Sequence, residues 1–184
     1  GPERRCQTCH RPSFIDDQPR SPLHVNGQIN VAAPAGSCVG CHGSGDSLDP
    51  ANRAPPVDLL GRSDPSLQTV GAHREHVSAL HKVSAPVACN ECHLVPTELD
   101  SPGHIDTGPP AEVFPAGAGT LARADGATPS YDSSTATCTS YCHGSGAKLS
   151  QDPSASVNRT PRFNGGPGEA ACGSCHGIPP QVPG

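Results

Sequence analysis

The chain has 184 residues, of which 33% are hydrophobic and 3% aromatic, with no Trp or Met and with 21 Gly and 22 Pro. Such a composition cannot offset the chain's conformational entropy by side-chain burial alone, so a self-sufficient apolar core is excluded and cross-links, metals or cofactors must stand in for it. A formal net charge of -5 without a basic run excludes a nucleic-acid footprint, and no apolar run is long enough to cross a bilayer as a helix.

Taken in chain order, the sequence falls into four segments. Residues 1–37 begin "GPERRCQTCH", which lacks the charged and apolar regions of a leader and reads as the start of a mature form. This segment carries Cys6, Cys9 and His10, and later His24. Residues 38–104 form a unit with two cysteine pairs, Cys38/Cys41 before His42 and Cys89/Cys92 before His93. Between them "SLQTVGAHREHVSALHKV" predicts a helix over about 66–83, started by Asp64-Pro65 and stopped by Pro86. It bears His73, His76 and His81, and His104 closes the unit. His73 and His76 are three residues apart and lie about 60° from one another around a helix, so one turn can reach two neighbouring metal centres.

Residues 105–137 include "TGPPAEVFPAGAG" and predict Gly/Pro-rich loop with a short strand or two. Residues 138–184 form a second, shortened unit with Cys138/Cys142 before His143 and Cys172/Cys175 before His176. The two units repeat in kind. "CHGSGDSLDPANRAPP" from Cys41 parallels "CHGSGAKLSQDPSASVNRTP" from Cys142, and "CNECHLVP" parallels "CGSCHGIPP". The expected fold is one compact, mostly irregular body with short helices, little sheet and a cofactor core, each cysteine pair opening a short helical turn.

The ten cysteines make five pairs, and each second cysteine is followed at once by a histidine. A disulfide framework needs an even count but has no use for a histidine at a fixed place. Zinc ribbons need two pairs per metal, which leaves one of five unmatched and the histidines unexplained. Covalent attachment of c-type haem accounts for every feature: the thiols bond the two vinyl groups and the next residue sets an imidazole beneath the iron. In "CTSYCHGSG" the gap between cysteines is one residue wider, but both thiols still reach one porphyrin edge if the loop bulges, and the Cys142-His143 spacing is kept.

Five histidines remain besides these: His24, His73, His76, His81 and His104. With no Met in the chain, they are the candidate sixth ligands, one for each of five haems, and predict bis-histidine, low-spin, low-potential irons.

"GAHREH" from Gly71, "CNECHLVP", "GHIDTGPPAEVF" from Gly103, "CTSYCHG" and "CGSCHGIPP" together resemble the repeated multihaem domains of metal-reducing bacteria. Those domains join a widened cysteine pair ending in Tyr-Cys-His-Gly to an ordinary C-x-x-C-H. The resemblance covers roughly the last two thirds of the chain, and departs from the family in having three residues, Thr139, Ser140 and Tyr141, where four are usual. It implies a secreted cytochrome that carries electrons outside the cell, with a periplasmic location as the alternative. It further implies other redox proteins or extracellular acceptors as partners, and a homopolymeric filament in which a histidine, with His24 a candidate, crosses between subunits. A discrete shuttle and an oxyanion reductase are the alternative functions; the reductase requires an iron with an open position, for which all-histidine ligation leaves no room.

Overall fold

The computed structural model describes residues 14–15, 18–19, 55, 57–58, 60–80, 84–98, 101–104, 106–108, 110–148 and 158–175. Among them the chain is mostly irregular, with short helical turns and two small two-stranded antiparallel sheets. The first sheet pairs β1 (Phe14–Ile15) with β2 (Gln18–Pro19), and the second pairs β3 (Ser130–Asp132) with β4 (Thr137–Thr139). The predicted fold class therefore holds in its sparse secondary structure. Buried apolar side chains among the described residues are small: Val70, Val77, Ala118, Ala122, Ala127 and Ala136. Among the described residues that set is slight, in keeping with the composition.

The helix expected over 66–83 is much shorter. Of its described residues, only His73–Val77 is α-helical (α1), the residues before it form successive turns, and residues 81–83 lie outside the described residues. Asp64 starts the turns rather than the helix, its carboxylate accepting from the Ser66 amide and its carbonyl from the Leu67 amide. The path then breaks at Gly71, whose φ of +46° lies in the left-handed region, where L side chains clash with the backbone. At the other end the Leu80 amide bonds the Ser78 hydroxyl, while the His76 carbonyl accepts from the Val87 amide instead of from a further helical turn. With no side-chain cap at its N-terminus, α1 depends on these tertiary contacts, since an isolated helix of this length is unstable in water.

The "TGPPAEVFPAGAG" stretch is loop, as expected, and its described residues form no strand; β3 lies beyond it, near the end of the 105–137 segment. In the β3–β4 hairpin Tyr131 sits opposite Cys138, and the turn closes through the left-handed Ala136. The Ala136 carbonyl accepts from the Phe163 amide at 2.7 Å, and the Cys138 amide donates to Pro161. These bonds lay the 161–163 strip against β4 and carry Phe163 toward α1.

Candidate functional site

Two cysteine motifs are held side by side by the loop between them. Cys89–Glu91 forms a 3₁₀ turn in which the Cys89 carbonyl accepts from the amides of Cys92 and His93. The loop then wraps this turn: Phe114 donates to the Cys92 carbonyl and Gly119 to that of Asn90. The Glu91 carboxylate accepts from the amides of Thr120 and Ala122 and from the Thr120 hydroxyl, at 2.9 to 3.0 Å. The carbonyl of the same Ala122 accepts from the Tyr141 amide of the second motif.

The second motif absorbs its extra residue by a different route. Cys138 sits in β4 rather than in a helical turn, Ser140 is extended and buried, and a 3₁₀ turn begins only at Tyr141–His143. The Ser140 carbonyl, not the first cysteine's, accepts from the His143 amide. The widened spacing is thus a strand-to-turn junction that leaves the histidine one residue after the second cysteine, as in the narrower motif.

α1 faces both motifs. The His73 and His93 ring centres are 6.4 Å apart with planes 22° from parallel, and those of His76 and His143 are 6.3 Å apart with planes at 78°. The Nδ1–H of His73 donates to the Val70 carbonyl at 2.7 Å, that of His76 to Ala72 at 2.8 Å, and that of His93 to Glu112 at 2.7 Å. Since a carbonyl can only accept, each of these rings carries a proton on Nδ1, which in the neutral tautomer leaves Nε2 as the nitrogen able to bind a metal. This is the arrangement by which metal-bound imidazoles are oriented. Burial, and then the charge of His76, push His143 down to about 4, so that ring is neutral at physiological pH.

The separations fit a shared metal. Two imidazole–metal bonds of about 2.0 Å, with about 1.2 Å from each ring centre to its nitrogen, span about 6.4 Å. The imidazoles lie in pairs, and among the described residues no group of three or more His, Cys, Asp or Glu side chains could hold a metal ion. Two axial donors do not complete a zinc site, but they do complete an iron that already holds four porphyrin nitrogens.

The cysteines next to these pairs are thiols, and no disulfide joins Cys89, Cys92, Cys138, Cys142, Cys172 or Cys175. Burial, with Cys138 and Cys142 close by, raises Cys92 to about 11; burial alone raises Cys138 to about 11, and burial also raises Cys142. The electrostatic contact of Cys92 with Cys138 and Cys142 also shows how near the two motifs lie.

Phe163 stands between the two imidazoles of α1, its ring centre 4.8 Å from His73 at 87° and 6.0 Å from His76 at 25°. Sequence reasoning missed it, and also Gly71, which makes room for it: a Cβ on Gly71 would collide with the edge of the Phe163 ring. One signal was available. Phe163 is one of only three Phe in a chain almost without aromatics.

Of the other expected site residues, His104 ends the 101–104 turn, its amide donating to Ser101, and belongs to neither facing pair. Cys172 and Cys175 are exposed on a turn where Ser174 donates to Ala171 and accepts from Asn158. Cys6, Cys9, His10, His24, Cys38, Cys41, His42, His81 and His176 lie outside the described residues. No helix of the described residues is long and apolar enough to cross a membrane. No family model, curated protein or solved structure matches the chain.

Proposed function

We propose that the chain is a pentahaem c-type cytochrome that carries electrons rather than transforming a substrate. The observation that supports this most is the pair of imidazole separations, 6.4 and 6.3 Å, each the span of two axial bonds to one iron and each beside a Cys-x(n)-Cys-His motif. In this reading His93 and His143 are proximal ligands, and His73 and His76 are their distal partners. Cys89/Cys92 and Cys138/Cys142 hold the two haems by thioether bonds, and the three remaining motifs hold one each.

Bound haem supplies the iron that alternates between ferric and ferrous states. The chain's own part is geometric. Residues three apart on a helix have Cβ atoms about 5–6 Å from one another, so His73 and His76 hold two irons as close neighbours. The loop from Glu112 to Ala122 pins the first motif to the second, which keeps that spacing rigid. A histidine on both faces leaves neither iron a position for an oxyanion, which argues against a reductase. From the resemblance of the motifs, the setting is extracellular or periplasmic, the partners are redox proteins or extracellular acceptors, and a homopolymer extends the haem chain from copy to copy.

Intact-protein mass spectrometry tests the reading: the 18.7 kDa chain should carry five haems. A mass for four or fewer overturns it. Carbon monoxide added to the reduced protein should leave its spectrum unchanged, and a full five-coordinate response would favour the reductase.

A further inference from the structure

The two imidazole pairs have nearly the same separation but very different ring orientations, 22° against 78°. Resting on the haem reading above, we infer that α1 and Phe163 build two electronically unlike irons from the same pair of ligand types: a near-parallel centre at His73/His93 and a near-perpendicular one at His76/His143.

The orientations are anchored rather than incidental. Rotation of His73, His76 and His93 about their own bonds is restrained by the Nδ1–H bonds to Val70, Ala72 and Glu112. Phe163 meets His73 edge-on, at 87°, but lies within 25° of the His76 plane, so the two distal rings are turned steeply against one another. His93 follows the plane of its distal partner, whereas His143 crosses that of His76. Phe163 is therefore a positioning residue for both centres.

Ring orientation matters because each imidazole donates π density along the normal to its plane. Near-parallel rings both raise one of the two iron dπ orbitals and split the pair, which stabilises the ferric state. Near-perpendicular rings raise one orbital each and leave the two almost degenerate, which stabilises the ferric state less. The His76/His143 centre is thus the more readily reduced of the two so far as axial orientation decides it. Between neighbours with identical ligands, this gives an electron a preferred resting place.

Electron paramagnetic resonance of the fully oxidised protein reads the difference directly. The His73/His93 centre should give a rhombic three-line low-spin signal, and the His76/His143 centre a highly anisotropic one dominated by a single low-field feature. His76→Ala should remove one haem's share of the anisotropic signal, and His73→Ala one haem's share of the rhombic signal. Phe163→Leu, which keeps every ligand, should shift the anisotropic feature and so tests the idea even if the histidine variants fail to load haem. A five-haem wild-type protein with a wholly rhombic spectrum overturns the inference, as does the opposite assignment of the two histidine variants or a Phe163→Leu spectrum identical to wild type. Haem counted by mass on the same samples separates the two levels: a wild-type chain without its haems would instead overturn the cytochrome reading.

Discussion

Gly71→Ala is the substitution whose cost the structure defines best. Gly71 is buried at φ +46°, and an added Cβ would collide with the Phe163 ring and come within 3.2 Å of the Phe163 carbonyl. The left-handed backbone costs an alanine about 1 kcal/mol. Forcing a methyl into an occupied ring position adds about 1–3 kcal/mol. The total of about 2–4 kcal/mol corresponds to a fall in melting temperature of about 5–15 °C for a chain of this size. Gly61→Ala is the control, because Gly61 has a similar positive φ, +76°, but nothing within 4 Å of the added Cβ. It should lose only the backbone share, about 1 kcal/mol. Thermal unfolding of the haem-loaded variants, followed by circular dichroism, makes the comparison. If Gly71→Ala melts no lower than Gly61→Ala, the packing of Phe163 against α1 is wrong, and with it the account of how His73 and His76 are held.

Removing either distal imidazole, by His73→Ala or His76→Ala, should create one carbon-monoxide-binding iron per chain in a protein that otherwise binds none, and a silent spectrum in both variants would contradict their role as ligands. Asp58 concerns the approach to α1: burial raises its carboxyl, but bonds from the Arg62 side chain and amide, the Thr69 hydroxyl and the Leu60 amide outweigh this and hold it at about 2, against the usual 3.8. Because the folded-state value is the lower one, the stabilisation is complete above the usual value and is lost as pH falls through about 2. Asp58→Asn should therefore cost about 2 kcal/mol in urea unfolding at neutral pH, with the gap to wild type closing on acidification; a constant gap would refute this. Glu91→Ala removes the acceptor for three donors on the loop and should destabilise the protein by about 1–3 kcal/mol in the same assay, whereas a neutral effect would mean the loop is held elsewhere.

The local part of the candidate site was legible in the sequence. A histidine fixed after each second cysteine is a covalent spacing, and His73 and His76 sit on one side of even a five-residue helix. The sparse secondary structure followed from few apolar residues and many Gly and Pro. What depended on long-range contacts was not legible. The helix began late because Gly71 left the right-handed region beneath Phe163, far away in sequence, and ended early because Val87 took the His76 carbonyl. The widened cysteine pair looked like a bulged loop, but its first cysteine lies in a strand paired to Tyr131, a match that spacing alone does not reveal. Ring orientation depends on which carbonyl each Nδ1–H finds, and those carbonyls come from Val70, Ala72 and the distant Glu112.

The most direct measurement is electron cryomicroscopy of the haem-loaded protein, at a resolution that shows axial ligands. The account predicts iron density between His73 and His93 and between His76 and His143, each about 2.0 Å from the two Nε2 atoms, with neighbouring porphyrins held by Cys89/Cys92 and Cys138/Cys142. Irons ligated by any other residues at these two motifs, or imidazole pairs with no iron between them, would contradict it.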